Sequence, residues 1–187
     1  MRLIKLIIPA ITFLILGCNL YDNAELNPSD LDSNFTPGLV FDPVSRATTV
    51  GAAAEFDVFV VEADNISGIH AQITYDANRL SVTNVTSGDF FTDSAQVNSS
   101  FFLYDDDNGT LDINYFYLGN NINKSGTGKI ATILFNTKQS FAETLLEITD
   151  ASELVDEDDV DIQILTKGTA TVTVSYTHLT LPTICSV

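Results

Sequence analysis

The sequence predicts an all-β protein, a single β-sandwich or jelly roll of about nine strands. Apolar and polar residues alternate with a period of two in several segments, which is typical of strands with one face in a core and one in water. Turn-forming residues recur between these segments, and no convincing long helical pattern interrupts them. The clearest segment is Gly68–Tyr75, in which one set of residues is apolar and the other polar: Ile69, Ala71, Ile73 and Tyr75 against His70, Gln72 and Thr74.

Residues 1–18 have the pattern of an export signal. Arg2 and Lys5 provide a positive start, and the apolar stretch that follows is short for a membrane span. The stretch ends in Gly17-Cys18, which resembles the bacterial lipoprotein signal, in which the cysteine is lipidated and becomes the new N-terminus. We therefore expect an exported protein, lipid-anchored through Cys18, with its domain facing the periplasm or the cell exterior. An uncleaved anchor or an ordinary secretory signal is the alternative, and both also export the protein.

Three further segments follow the signal. Residues 19–37 are polar and acidic without a sustained period, which predicts a flexible linker. Residues 38–173 are long enough for one domain with a substantial core. The two cysteines, Cys18 and Cys185, both lie outside this range, so no disulfide or thiol chemistry is expected in the domain. Residues 174–187 resemble the translation of a transposase-library sequencing adapter, so we predict that they are not native and that His178 has no function.

The charge of the chain excludes several classes of partner. The chain has 8 basic and 25 acidic residues, a net charge of −17, and two of the basic residues belong to the signal. Nucleic acids and anionic membrane surfaces are poor partners for such a charge, so we expect membrane contact only through the lipid. Neutral glycans, cationic surfaces and calcium-bearing partners stay open.

The first half of the domain contains four predicted strands. The first, Leu39–Phe41, is a short apolar run that Pro43 ends, because proline cannot donate to a sheet ladder. A turn over Asp64–Gly68 leads from the second strand into Gly68–Tyr75, and turn-forming residues at 76–78 separate that strand from Leu80–Val85. The second strand, Glu55–Glu62, alternates two sets of residues: Phe56, Val58 and Val60 against Asp57, Phe59 and Val61.

The middle of the domain is predicted to form a hairpin. Ser99–Tyr104 and Thr110–Leu118 flank Asn108-Gly109, and Asn-Gly between two strands is the strongest short hairpin signal. The aspartates before this turn suggest a calcium loop, but the offsets of an EF-hand would place Tyr104 and Tyr115 at ligand positions. We therefore predict a solvated turn and no metal site.

The last third contains three predicted strands and one ambiguous segment. Ser125–Phe135 is predicted as a strand, and its glycines lack the spacing of a phosphate-binding loop, so no nucleotide site is implied. Residues 140–154 fit either a strand or a helical turn. After an acidic loop over residues 156–161, Ile162–Leu165 and Gly168–Val172 are the final predicted strands.

Two stretches resemble the cohesin family. One is the strand that closes on Tyr75-Asp76, continues as Leu80-x-Val82-x-x-Val85 and ends in the turn Gly88-Asp89-Phe90. The other is the strand from Ser125 to Phe135, with the sequence Ser-Gly-Thr-Gly-Lys-Ile-Ala-Thr-Ile-Leu-Phe. Cohesins are β-sandwich modules that hold dockerin-bearing enzymes in polysaccharide-degrading assemblies. The resemblance covers residues 39–172 and implies a non-catalytic cell-surface scaffolding module that binds a dockerin-like partner, with any calcium carried by the dockerin.

The resemblance also implies where the partner binds. Cohesins dock dockerins through the outward residues of a sheet, and the matching residues here are His70, Gln72 and Thr74. In the best-known cohesin type, this strand carries Asn and Asp at positions that hold Gly68 and His70 here, so the usual dockerin specificity is not expected. The alternative is that His70 is an ordinary solvated strand residue.

Other functions have weaker support. The domain has one histidine and no cysteine, and with 25 acids a pair of carboxylates at catalytic distance arises by chance, so we predict no enzyme activity. A direct carbohydrate-binding module is the first alternative, and a structural or adhesive spacer is the second. Carbohydrate modules stack sugar rings on exposed aromatic residues, and the candidates on the predicted outward phase are Phe59, Phe102, Tyr104 and Phe116. A strand phase that is wrong by one residue would place them in the core.

Overall fold

The structure is a computed structural model, and it describes residues 33–92, 100–119 and 122–175. Cys18 and residues 176–187 lie outside this part of the chain. The described residues contain one short 3₁₀ helix, Ser33–Phe35, and no helix with the length and hydropathy needed to cross a bilayer. They form thirteen strands: β1 Gly38–Asp42, β2 Ser45–Thr49, β3 Ala53–Ile66, β4 Gly68–Tyr75, β5 Leu80–Ser87, β6 Ser100–Asp107, β7 Thr110–Tyr117, β8 Lys124–Thr137, β9 Phe141–Ile148, β10 Glu153–Val155, β11 Asp161–Ile162, β12 Thr166–Lys167 and β13 Thr169–Ser175.

The strands form two sheets that pack as a sandwich, which confirms the predicted fold class. The smaller sheet has the order β12-β1-β3-β8-β5. In the larger sheet, β6 pairs with β7, and β7 pairs with β4. The other edge of β4 is shared, because β10 pairs with its first half and β9 with its second half. From there β9 leads to β13 and β2, and β10 leads to β11.

The core between the sheets is built by the alternating apolar residues. A chain of edge-to-face aromatic contacts links Phe41 to Phe56, Phe56 to Phe135 and Phe135 to Tyr75, with ring centroids 6.2, 6.4 and 5.3 Å apart. Because Phe135 lies on β8 and Tyr75 on β4, the last contact joins the two sheets. Edge-to-face pairs add to the stabilisation that burial of the rings provides.

The connection from β4 to β5 is a crossing between the sheets. The backbone carbonyl of Asp76 accepts hydrogen bonds from the amides of Arg79 and Leu80, and the Asp76 carboxylate accepts one from the Asn78 amide at 2.9 Å. The turn predicted over residues 76–78 is therefore present. It carries the chain from the larger sheet into the smaller one, where β5 pairs with β8.

The hairpin predicted at Asn108-Gly109 is confirmed. Both turn residues have positive φ, 42° and 117°, as a tight two-residue turn between antiparallel strands requires. The turn places Asp107 opposite Thr110 and so fixes the register of β6 against β7.

Several predicted elements differ from the structure. β2 was not predicted, because Ser45–Thr49 is polar and mostly exposed and shows no alternation. The ambiguous segment contains β9 and β10, and the strand predicted over residues 162–165 is a link between two short strands. β3 extends to Ile66 into the predicted turn. β13 includes Val174 and Ser175 of the predicted tail, because Val174 continues the inward alternation and is buried.

Candidate functional site

The outer face of the larger sheet is the candidate site. We define it by the side chains of β10, β4, β7 and β6 that point away from the core, together with Glu147 of β9. The strand register arranges them in four rows across the sheet: Val155, Gly68, Phe116 and Phe101; then Glu153, His70, Asn114 and Leu103; then Gln72, Asp112 and Asp105; then Glu147, Thr74, Thr110 and Asp107. These rows span about 14 Å across the strands and about 20 Å along them, enough for a partner helix about 10 Å wide.

The centre of the outer face is a network of hydrogen bonds around Asp112. Asp112 Oδ1 lies 2.8 Å from His70 Nε2 and accepts a hydrogen bond of 3.0 Å from Gln72 Nε2. Gln72 Oε1 accepts a hydrogen bond of 2.8 Å from the Thr149 hydroxyl. The network fixes both side chains of β4 against β7, so Asp112 presents a carboxylate of defined position in the middle of the face.

One end of the outer face is apolar. The rings of Phe101 and Phe116 lie on neighbouring strands with centroids 5.5 Å apart. Phe101 and Leu103 are 44% and 40% exposed, and Phe116 and Val155 are partly exposed beside them. Exposed apolar groups that lie together on one face are typical of an interaction surface.

The remainder of the outer face is acidic. Asp105, Asp107, Glu147 and Glu153 are exposed around the central Asp112. The six basic residues of the described part of the chain each contact a carboxylate, a backbone carbonyl or an aromatic ring, and none belongs to the four rows. The face therefore has a negative field that favours a partner with basic residues.

A buried tyrosine supports the acidic end of the outer face from below. Tyr75 projects into the core, and its hydroxyl donates a hydrogen bond of 2.7 Å to Asp106 on β6. Burial, with a further contribution from Asp106, raises the pKa of Tyr75 to about 12. Burial also raises the pKa of Tyr115, whose hydroxyl donates to the Gly88 carbonyl at 3.2 Å. Both phenols therefore stay neutral and tie strands of the larger sheet to their neighbours.

The structure brings the three predicted partner-binding residues together. His70, Gln72 and Thr74 all lie on the outer face and are partly exposed. Their role in binding stays a prediction. The side chains that surround them on the neighbouring strands were not predicted as site residues: Asp112, Asn114, Phe101, Leu103, Glu153 and Val155. The alternation of β7 already assigned Asp112 and Asn114 to an outward phase, but alternation does not show which strand pairs with β4.

The four aromatic candidates do not form one platform. Phe116 lies on the outer face of the larger sheet, whereas Phe59 lies on the outward side of β3 in the smaller sheet. The predicted outward phase is wrong for Phe102 and Tyr104, since they pair with the buried Tyr115 and Ile113 and share their inward phase. Phe102 packs edge to face on Tyr115, whereas Tyr104 is 42% exposed because β6 is an edge strand.

Among the described residues, no three His, Cys, Asp or Glu side chains lie close enough to hold a metal ion. The outer face instead combines apolar, acidic and hydrogen-bonding groups over a broad area. A β-sandwich with such a face has the architecture of a binding module.

The family assignment agrees with that architecture. The family model for the cohesin domain matches residues 39–174, so the chain belongs to the cohesin family. This confirms the resemblance stated from the sequence. A search of curated protein sequences gives no match.

Solved structures with the same fold are also cohesins. A non-cellulosomal cohesin from the archaeon Archaeoglobus fulgidus is 20% identical, with 74% of this chain and 92% of that chain covered and a TM-score of 0.57. A cohesin module from a family 33 glycoside hydrolase of Clostridium perfringens is 20% identical, with 74% and 96% covered and a TM-score of 0.58. The sixth cohesin of scaffoldin B from Acetivibrio cellulolyticus, solved in complex with a dockerin, is 18% identical, with 74% and 98% covered and a TM-score of 0.57.

Proposed function

We propose that this cohesin domain is a non-catalytic docking module that binds a dockerin through the outer face of its larger sheet. The proposal rests on the composition of this outer face, which combines exposed apolar side chains with a fixed central carboxylate. The domain that carries the face belongs to the cohesin family. Several structurally similar cohesins were solved as complexes with dockerins, which supports the same class of partner. Any calcium in the complex belongs to the dockerin.

We further propose that the domain works outside the cytoplasm, held to a membrane by a lipid on Cys18. The support is the export pattern of residues 1–18 and the polar linker after it, which gives the domain reach from the surface. In this arrangement the module would retain dockerin-bearing enzymes of polysaccharide breakdown at the cell surface.

The test is capture by a panel of recombinant dockerin modules, with insoluble polysaccharides as a parallel arm. The full chain, purified in mild detergent, is expected to bind at least one dockerin saturably in calcium and none of the polysaccharides. EDTA is expected to abolish binding without lowering the melting temperature of the cohesin chain. Loss of cohesin stability in EDTA would instead assign the metal to this chain.

Two phenylalanine variants locate the binding face. Phe116→Ala is expected to weaken dockerin binding about tenfold or more, because aromatic anchors contribute most to such interfaces. Phe59→Ala is the matched control, since Phe59 is also partly buried but lies on the opposite sheet. Equal losses in both variants would contradict the assignment of the face. Retention on polysaccharide that depends on Phe59 or Phe116 would favour the carbohydrate-binding alternative, and no binding in either arm would favour a spacer.

A further inference from the structure

A concavity lies beside Gly68 at the apolar end of the outer face. Gly68 lies between Val155 of β10 and Phe116 of β7 in the strand register. A Cβ atom at Gly68 would lie 2.9 Å from Val155 Cγ2 and 3.5 Å from Phe116 Cβ, so the Val155 side chain closes over the buried Gly68 and any larger residue at position 68 would displace it. The concavity here, which we call the Gly68 pit, has a volume of about 380 Å³.

The rim of the Gly68 pit is acidic. Four carboxylates line it, and among the described residues at the pit only His70 could carry a positive charge. Glu157 accepts a hydrogen bond of 2.9 Å from Asn123, and Asp156 accepts two backbone amides of its own loop. The carboxylate of Glu153 is exposed and has no hydrogen bond or ion pair within the described residues. The full set of carboxylates is Glu153, Asp156, Glu157 and Asp159.

We propose that the Gly68 pit accepts a single lysine or arginine side chain of the protein partner. The methylene stem would lie against Val155 and Phe116, and the cationic head would reach Glu153 and Glu157. This inference rests on the proposed function for the identity of the partner, but the pit and its charge are properties of this chain alone.

Charge complementarity selects this occupant over an apolar side chain. A docked partner takes water away from the carboxylates on the rim, and burying a charge without a counter-charge is costly. An apolar side chain fills the pit but leaves those carboxylates unpaired. Lysine and arginine have an apolar stem and a charged tip, so the stem can pack on the apolar residues of the pit while the tip pairs with the carboxylates on its rim.

The first test uses a small probe and needs no dockerin. The ¹⁵N-labelled full chain is titrated with the N-acetyl methylamide of lysine and with that of norleucine, its neutral analogue. The lysine probe is expected to shift the amide signals of Gly68, Phe116 and Val155 most, with a midpoint on the order of millimolar, and to bind at least about threefold more tightly than norleucine. Equal binding of the two probes, or shifts away from these residues, would overturn the proposal.

The second test uses variants of the pit against a dockerin captured by the wild-type chain. Gly68→Ala places a methyl group 2.9 Å from Val155 Cγ2 and so displaces a side chain that lines the pit, and it is expected to weaken binding about tenfold. The double variant Glu153→Gln and Glu157→Gln leaves the backbone unchanged and is expected to weaken binding about fivefold. The difference in affinity between wild type and this variant is expected to shrink at high salt, because salt screens exposed charges. The double variant Glu55→Gln and Glu62→Gln is the charge-matched control, because both residues are exposed on β3 of the opposite sheet, and it is expected to leave binding unchanged.

The outcomes separate this inference from the proposed function. If a dockerin binds wild type, Gly68→Ala and the double variant of Glu153 and Glu157 with equal affinity, the proposed lysine or arginine site is refuted and the docking function stands. If the lysine probe binds at the pit but no dockerin is captured, the cation site stands and the dockerin partner is refuted. If Gly68→Ala shows a disturbed fold by circular dichroism, the double variant of Glu153 and Glu157 alone decides.

Discussion

Replacing Gly88 with alanine is expected to destabilise the domain strongly, although Gly88 has no positive φ. Gly88 follows β5 and packs directly on β8: its amide donates to the Ile130 carbonyl at 2.9 Å, and the Phe90 amide donates to the Lys129 carbonyl at 2.9 Å. A Cβ atom at Gly88 would lie only 2.0 Å from the carbonyl oxygen of Lys129. The obstacle is backbone of a central strand, so it cannot rotate away as a side chain would.

The magnitude follows from what must move. Relieving the overlap requires a shift of about 1 Å, which weakens both hydrogen bonds, each contributing about 1 kcal/mol. The same shift disturbs Phe90 and Phe91, which are 2% and 1% exposed, and such strain in a packed core costs about 1–3 kcal/mol. The expected loss in the free energy of unfolding is therefore about 3–5 kcal/mol, out of a total of about 5–15 kcal/mol for a typical domain.

Urea unfolding followed by circular dichroism measures this loss. The control is Gly126→Ala, because Gly126 has a φ of +113° but nothing within 4 Å of its added Cβ. That variant carries backbone strain without a clash, so a loss of about 1–2 kcal/mol is expected. A Gly88→Ala variant no less stable than Gly126→Ala would refute the reasoning, because the steric contact would then have been relieved at negligible cost.

Two further predictions concern groups beneath and within the outer face. The folded-state pKa of Tyr75, about 12, lies above its ordinary value of 10.0, so its contribution to stability is complete below about pH 10 and is lost as the pH rises towards 12. Tyr75→Phe should therefore lose less stability than wild type across that window in urea unfolding, and identical pH profiles would contradict the assignment. Asp112→Asn should lower stability by about 0.5–1 kcal/mol at neutral pH, because the charged acceptor for His70 and Gln72 is removed. Unfolding midpoints that match wild type would show that the network contributes nothing.

The alternation of residue types was sufficient to predict the fold class and much of the core. Ile69, Ala71 and Ile73 were assigned to the inner face of β4, and all three are buried. This works because a strand with one face in a core must alternate. β2 was not predicted because it is a polar edge strand without an apolar pattern. It pairs with β13 through backbone hydrogen bonds, which leave no signal in the sequence.

The phase of β6 could have been predicted from its turn, although not from its composition. Phe101, Phe102, Leu103 and Tyr104 are all apolar or aromatic, so alternation gives no phase. A two-residue turn at Asn108-Gly109, however, places residue 107 opposite residue 110. Counting back from that pair sets Phe102 opposite the inward Tyr115, which is the arrangement in the structure.

The composition of the outer face depends on strand pairing, and that explains where specificity is expected to change. Gly68, Phe116 and Val155 are distant in sequence, and only the pairing of β4 with β7 and β10 makes them neighbours. Gly68 is also one of the two positions at which β4 departs from the best-known cohesin type. The absence of a side chain at Gly68 lets Val155 close over it and so alters the shape that a partner meets, whereas His70, the other departure, is held by Asp112 within the sheet. The Gly68 pit is therefore the part of the outer face at which this cohesin should differ most from others in its choice of dockerin.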